Sequence, residues 1–374
     1  MKVWKHAIAA LFTANLCIKS ASATPGDKIG IGVRSAIENA GSANVVIALS
    51  EPSDTCTVLF SSILNVSYFP FWDYSFSACS GKITSTTGLD FIAGISNVVK
   101  IDLDGTEQAF GESGMRSRQL LGNSVPFLGA EARHQLGNKG AGVTVAVLDT
   151  GIDDFPRVNV VHEACFSRAE KCLGGGEKFW LDAEDNISGH GTQVAGIIAS
   201  SDGVNESGGI RQGGMAPEAN VVVIKVLFDS VLRIGHVSDI LAAMDYILRN
   251  PNNVAALDDV TILNMSFGST NLFSNSCDDF DANTMAYSAA TQALWDKNVL
   301  SIAAVGNAGN TNAISRPACI NNVVAVGSSD YNNELATTTN SNALVDVFAP
   351  GIAIASSGFN GSTMISSGTS MASA

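Results

Sequence analysis

Five short runs of nearly continuous apolar residues set the strongest limit on how this chain can fold. They cover residues 143–148, 221–226 (Lys225 excepted), 260–265, 299–305 and 323–326. Strands that are buried on both faces have this pattern, and such strands occur in parallel sheets covered by helices. Because parallel neighbours need a long crossover between them, helices are expected in the segments that separate the runs.

Two of these segments have helical patterns. Residues 238–248 have apolar side chains at helical spacing, and Asn250 and Pro251 provide an end signal. Residues 283–297 form a second predicted helix. From about Leu120 onward the chain therefore predicts an α/β fold, with a mostly parallel, twisted sheet and helices on both faces.

The region before Leu120 has a different organisation. Residues 24–108 contain short alternating apolar runs, which indicate a small α+β unit. Residues 111–119 are polar and rich in turn formers, as in an exposed linker. Arg116 and Arg118 in this linker either mark a cleavage site or belong to a solvated loop.

The N-terminus has the order of a secretory signal peptide. Lys2 and Lys5 precede an apolar run over residues 7–18, and small residues follow at 21–23. The alternative is a short buried helix. The run is too short to span a bilayer, and no later stretch is apolar for long enough. We therefore predict removal of residues 1–23 and export of the rest to the extracellular space or the periplasm, with no membrane partner.

The cysteines agree with an oxidising compartment. Seven cysteines are present, and removal of Cys17 with the leader leaves an even number. Pairing of neighbours predicts bridges Cys56–Cys79, Cys165–Cys172 and Cys277–Cys319, although other connectivities remain open. A metal cluster that includes His162 is the competing interpretation.

The charge balance excludes one class of partner. The formal net charge is −14, from 35 acidic and 21 basic residues, and there is no long basic run. Proteins that track phosphates need a concentrated basic surface, so nucleic acid is not an expected partner.

Four polar residues stand where functional groups collect in such folds, beyond the carboxyl ends of strands or at helix starts. They are Asp149, His190 between two glycines, Asn307 in a Gly-rich turn, and Ser370 before a run of small residues. Each alone has an ordinary structural interpretation, as a turn Asp, a core His, a turn Asn or a Ser-rich loop. Together they supply a nucleophile, a base, an orienting carboxylate and an amide donor, which are the parts of an acyl-transfer enzyme.

The surrounding motifs resemble those of the subtilisin-like serine proteases, with the triad in the order Asp, His, Ser. The matching segments cover residues 147–152, 189–192, 264–268, 304–307, 347–351 and 368–372. The resemblance implies that Ser370 is the nucleophile, His190 the base and Asp149 its orienting group. Asn307 and the backbone N–H of Ser370 would then hold the oxyanion.

The resemblance also implies a substrate cleft and a domain plan. The cleft residues would be Ser266, Phe267, Gly268, Ala303, Ala304, Val305 and Gly306. Their composition predicts a broad, apolar preference for the residue before the cut bond, in protein or peptide substrates. Residues 24–118 would form a propeptide that inhibits the enzyme and assists folding, and residues 119–374 the catalytic domain.

The chemistry needs no cofactor, but a structural Ca²⁺ is compatible with the acidic clusters at 182–185 and 277–281, which are otherwise solvated loops. The chain ends soon after Ser370, so an incomplete catalytic domain and an inactive fragment are expected. A non-catalytic binding or scaffold protein, or an inhibitor acting through residues 24–110, are the alternative functions.

Overall fold

A computed structural model describes residues 24–52, 72–113, 124–153, 157–167, 183–185, 187–201, 213–228, 230, 232–358 and 361–374. The predicted signal peptide and most of the predicted linker, including Arg116 and Arg118, lie outside these ranges. The strands are β1 (Ala43–Leu49), β2 (Trp72–Asp73), β3 (Ala78–Ile83), β4 (Val98–Leu103), β5 (Thr106–Ala109), β6 (Glu112–Ser113), β7 (Thr144–Asp149), β8 (Asn159–Cys165), β9 (Asn220–Lys225), β10 (Ile234–His236), β11 (Val260–Met265), β12 (Phe267–Gly268), β13 (Leu272–Phe273), β14 (Leu300–Ala304), β15 (Ile314–Ser315), β16 (Val323–Ser329), β17 (Val347–Pro350), β18 (Ile354–Ser357) and β19 (Thr363–Ser367).

The helices follow the same chain order. They are α1 (Val33–Ala40), α2 (Thr86–Ala93), α3 (Ser124–Phe127), α4 (Ala130–Gln135), α5 (His190–Ala199), α6 (Val237–Arg249), α7 (Ala255–Asp258), α8 (Ala282–Asp296) and α9 (Thr369–Ser373), and a 3₁₀ turn covers Pro25–Lys28. The two helices predicted from sequence are α6 and α8, with ends that differ from the prediction by one residue.

A seven-stranded parallel sheet forms the centre of the larger domain, with the strand order β17-β16-β14-β11-β7-β9-β8. The predicted apolar runs supply its inner strands, and every residue of β7 is buried. Two apolar clusters cover the faces of the sheet. One includes Met244 of α6 and Tyr287 of α8, and the other includes Val194 of α5. The predicted α/β fold is confirmed.

The N-terminal unit is a four-stranded antiparallel sheet with the order β2-β3-β1-β4. Successive residues of β1 point to opposite faces, as the pleat requires. Val45 and Ile47 pack with α1 and α2, whereas Val46 and Ala48 join the core cluster that contains α6 and α8. One face of this small sheet is therefore buried against the larger domain.

Two carboxylates at the end of β4 strengthen this contact. Asp102 accepts a hydrogen bond from the backbone N of Ala282, at the start of α8 (2.8 Å). Asp104 accepts from the backbone N and the Oγ of Ser238, in the first turn of α6 (3.0 and 2.6 Å). The first N–H groups of a helix have no partner within the helix, so the N-terminal unit caps two helices of its neighbour.

The four cysteines that the structure describes form disulfides. Cys277 and Cys319 are bonded, with Cα atoms 5.5 Å apart, which confirms this predicted pair. Cys79 and Cys165 are also disulfide-bonded, and their predicted partners Cys56 and Cys172 lie outside the described residues. In the described ranges no helix is long and apolar enough to cross a membrane.

The capping contacts give the first testable prediction. Asp104→Ala removes the acceptor for both Ser238 donors, so the free energy of unfolding should fall by about 1–2 kcal/mol. Urea unfolding of the full chain measures this change. Asp258→Ala, at an exposed residue of α7, is the matched control and should change stability by less than about 0.5 kcal/mol. Equal losses in both variants would contradict the capping role.

Candidate active site

Asp149 and His190 form the best defined part of the site. Asp149 is the last residue of β7, and its Oδ1 lies 2.7 Å from Nδ1 of His190, the first residue of α5. The same oxygen accepts the backbone N–H of Thr150 (2.7 Å). Both side chains are almost fully buried, at 0% and 1% exposure. This contact fixes the orientation of the imidazole and leaves Nε2 as its other functional atom.

A glycine permits this close approach. A Cβ at Gly191 would lie 2.1 Å from the carbonyl oxygen of Gly151 and 3.2 Å from Cβ of Asp149. Any larger side chain would therefore push the start of α5 away from the end of β7. Gly191, which follows His190 in sequence, is thus part of what brings the imidazole to the carboxylate.

Ser370 lies in the first turn of α9 and is fully buried. Its Oγ donates to the carbonyl oxygen of Ser266 (2.6 Å) and accepts from the backbone N of Phe110 (3.1 Å). Among the described residues Nε2 of His190 has no hydrogen-bond partner. The bond between the hydroxyl and the imidazole is therefore not formed in this arrangement. Such bonds are often long or absent before a substrate is aligned for reaction.

Asn307 faces the same space. Its Oδ1 accepts from the backbone N and the Oγ1 of Thr369, both at 2.9 Å, which leaves the amide group Nδ2 free to point toward Gly368. A Cβ at Gly368 would lie 2.6 Å from this Nδ2 and 2.8 Å from the carbonyl oxygen of Phe110. Because residue 368 is a glycine, no side chain fills the space between Nδ2 of Asn307 and the carbonyl oxygen of Phe110.

The carbonyl oxygen of Phe110 belongs to a segment that occupies the cleft. Strand β5 of the N-terminal region lies between β10 and β12 and pairs antiparallel with both. Beyond β5, the backbone N of Phe110 donates to the carbonyl of Ser266 (3.4 Å), and its carbonyl accepts from the backbone N of Ser370 (3.3 Å). The segment continues through Gly111 into β6, which pairs with β19. The chain therefore crosses the site as an extended peptide.

Gly111 adjoins the imidazole. A Cβ at this position would lie 3.4 Å from Nε2 of His190, and its carbonyl oxygen accepts from Nη2 of Arg233 (2.7 Å). The peptide bond between Phe110 and Gly111 is thus flanked by the Ser370 hydroxyl, the Ser370 backbone N–H and the imidazole.

The predicted cleft residues separate into two groups. Ser266, Phe267 and Gly268 lie along the segment, through the carbonyl of Ser266 and the pairing of β12 with β5. The residues Ala303, Ala304, Val305 and Gly306 are buried at the end of β14. Val305 accepts from Ser315, and Gly306 donates to Oγ1 of Thr369 (3.2 Å). The contacts of this second group therefore support the turn around Asn307 and the start of α9.

No sequence pattern indicates β10, Arg233 or one buried ion pair. Oε1 of Glu107 in β5 accepts a hydrogen bond from Nε of Arg316 (2.6 Å), and their side chains are 0% and 3% exposed. The two residues are separated by 209 positions, and neither is part of a recognisable motif. Residues 106–110 are three polar residues followed by two apolar ones, so no period-2 pattern indicated this extended segment.

Burial dominates the electrostatics of Glu107. Loss of water raises the pKa of its carboxyl from 4.5 to about 7, although the positive charge of Arg316 opposes the rise. Its second oxygen, Oε2, is buried without a hydrogen-bond partner among the described residues. Folding therefore favours the protonated form of this carboxyl relative to the unfolded chain.

The acidic clusters do not form a recognisable metal site within the described residues, where no group of three or more His, Cys, Asp or Glu side chains is arranged to hold an ion. In the cluster at 277–281, Asp281 caps α8 by accepting from the backbone N of Thr284 (2.7 Å). Asp182 of the other cluster lies outside the described ranges.

Comparisons with known proteins point to one family. A family model described as the subtilase family matches residues 140–374. Subtilisin Savinase from Lederbergia lenta is 36% identical over 254 residues, which cover 67% of this chain and 80% of that protein. An alkaline protease from Alkalihalobacillus alcalophilus is 35% identical over 257 residues, 67% of this chain and 57% of that protein. The chain thus matches little more than half the length of the latter relative.

The pKa of Glu107 predicts a pH dependence of stability. The folded state retains a proton that the unfolded chain releases, so the free energy of unfolding should fall as the pH rises from about 4.5 to about 7. The slope approaches about 1.4 kcal/mol per pH unit for one proton. Urea unfolding of the full chain at a series of pH values from about 4.5 to about 7 measures the slope. The same chain with Glu107→Gln is the control. If the free energy of unfolding depends on pH equally in both chains, the slope does not come from Glu107.

Proposed function

Because the chain belongs to the subtilase family, we propose that it is the precursor of a secreted serine endopeptidase that hydrolyses peptide bonds through Asp149, His190 and Ser370. One observation carries the proposal. The carbonyl of Phe110 accepts a hydrogen bond from the backbone N of Ser370 while the Ser370 hydroxyl lies against the same residue. A peptide carbonyl beside a hydroxyl and its backbone donor is the arrangement that precedes acyl transfer.

In the proposed reaction, Oγ of Ser370 attacks the carbonyl carbon and gives its proton to Nε2 of His190. Asp149 holds the opposite ring nitrogen and stabilises the imidazolium. The backbone N of Ser370 and Nδ2 of Asn307 donate to the oxygen of the tetrahedral intermediate. The C–N bond then breaks, the leaving amine takes the proton from His190, and an acyl-enzyme remains. Water then attacks the acyl carbon and gives a proton to His190. The C–O bond to Oγ of Ser370 breaks, His190 returns the proton to Oγ, and the acid leaves, so the proposed chemistry uses no cofactor.

For the residue before the cut bond we propose a broad, apolar preference. The Phe110 side chain is buried in the cleft, and a Cβ at Gly268 would lie 2.6 Å from its ring. The wall of this pocket is therefore peptide backbone without a side chain, which leaves room for a large ring. Apolar and aromatic side chains gain most from such burial.

We further propose that the N-terminal unit is the enzyme's inhibitor and its first substrate. It covers α6 and α8 and fills the cleft with β5, so an added substrate must displace it. The peptide bond Phe110–Gly111 is the first cut in this proposal. A further cut near Arg118, which would place the domain boundary at 118/119, stays a prediction because that segment lies outside the described residues.

The alternative is a binding protein without catalysis. It is favoured by one observation, the hydrogen bond from the Ser370 hydroxyl to the Ser266 carbonyl, which directs the proton away from His190. Rotation of this hydroxyl toward Nε2 is required before attack.

Labelling with a fluorophosphonate probe tests the two functions. We expect a label on the purified chain and none on Ser370→Ala, since only an activated serine reacts with this probe. Intact mass should also show a cut after Phe110 in the parent and an uncut Ser370→Ala chain. Absence of both the label and the cut would support the binding function instead.

The role of Asp149 is tested by Asp149→Asn. Loss of the carboxylate leaves the imidazole in the wrong tautomer, and turnover should fall by about 10⁴-fold. Hydrolysis of a chromogenic peptide that ends in Phe measures this loss. Asp296→Asn, the same change at an exposed position of α8, should retain full activity. A loss below about tenfold at Asp149 would be incompatible with the proposed triad.

A further inference from the structure

The ion pair of Glu107 and Arg316 joins the two parts of the molecule inside the substrate cleft. Phe110 precedes the proposed scissile bond, so Glu107 is the fourth residue before that bond. Its side chain is fully buried, and its Oε1 accepts from Nε of Arg316 at 2.6 Å. Since β5 lies between β10 and β12 as a substrate peptide would, Arg316 lines the pocket for the fourth residue.

We propose that Arg316 is a specificity-determining residue that selects substrates with an acidic side chain four residues before the cut bond. This inference rests on the proposed endopeptidase function. It adds a charged requirement to a cleft whose other contacts are mostly backbone hydrogen bonds and apolar packing.

The catalytic domain holds Arg316 in place independently of Glu107. The carbonyl oxygen of Arg316 accepts from the backbone N of Ser269 (3.0 Å), directly after β12. Nearby, Cys319 is tied to Cys277 by the disulfide, and the carbonyl of Cys319 accepts from the backbone N of Cys277 (3.1 Å). The guanidinium is thus attached to a rigid part of the cleft wall, as a selective contact requires.

When a peptide occupies the cleft, the Arg316 guanidinium is shielded from water. The segment passes so close that a Cβ at Gly105 would lie 2.5 Å from Nη2 of Arg316. Asp281 is the other carboxylate nearby, 3.6 Å from Nη1, but it also caps α8. An apolar or basic fourth residue would therefore bury the cation without an acceptor for its Nε donor, which is costly. A carboxyl side chain supplies that acceptor.

The competing explanation is that the pair only secures the N-terminal unit to its own catalytic domain. In that case the contact contributes to inhibition but not to the choice of other substrates. Peptides added to the processed enzyme distinguish the two explanations, because they contact the cleft without the remainder of the N-terminal unit.

The test uses peptides of the form X-Gln-Ala-Phe joined to a chromogenic amide. The residue X, the fourth before the cut bond, is Glu, Leu or Lys. We expect kcat/KM for Glu to exceed that for Leu or Lys by about 10²-fold, the usual scale for an unpaired buried charge. Arg316→Met should abolish this preference. Arg249→Met, which removes a partly exposed arginine of α6, is the matched control and should keep it. Equal rates for the three peptides with the parent enzyme would overturn the inference.

Fluorophosphonate labelling of the same samples separates this inference from the proposed function. A chain that labels but shows no preference refutes only the role of Arg316. If the chain does not label, the catalytic proposal fails, and recognition is measured in Ser370→Ala by hydrogen exchange of residues 106–110. Glu107→Leu and Arg316→Met should then each accelerate exchange, and the double variant should exchange no faster than either. Additive acceleration would overturn the inference in that case.

Discussion

The parallel alignment of β7, β11 and β14 is the constraint on which the site depends. Parallel strands end at the same edge of the sheet, so Asp149 and the segments that contain Ser266 and Asn307 lie close together although they are far apart in the chain. Helices cover both faces, which leaves this edge as the place where polar side chains gather. The start of α9 reaches the same edge and brings Ser370 to it.

The second organising feature is the backbone pairing of β5. This strand receives neighbours on both sides, β10 and β12, so its main-chain groups are bonded whatever its side chains are. Such pairing explains how one cleft can hold the chain's own segment and, as proposed, unrelated substrates. Discrimination is then left to the pockets, where Gly268 makes room for a ring and Arg316 meets a carboxyl group.

Two buried carboxyl groups serve different purposes. Asp149 contacts Nδ1 of His190 and accepts a hydrogen bond from the backbone of Thr150, so the imidazole is held in one orientation. Glu107 has one strong donor and a second oxygen without a partner, and burial raises the pKa of its carboxyl to about 7. The stability that this proton contributes to the folded chain is lost as the pH rises from about 4.5 to about 7.

The sequence by itself determined the parallel sheet, helices α6 and α8 and the candidate residues Asp149, His190, Asn307 and Ser370. It allowed the Cys277–Cys319 bridge as one of several pairings, and the structure selected this pair. These features depend on local periodicity, spacing and short motifs, which a linear pattern retains. Only the tertiary structure decided that β5 enters the cleft, that Phe110 meets Ser370 and that Glu107 pairs with Arg316. The last two contacts join residues more than 200 positions apart. Their partners are selected by the packing of one domain against another, for which no local pattern exists.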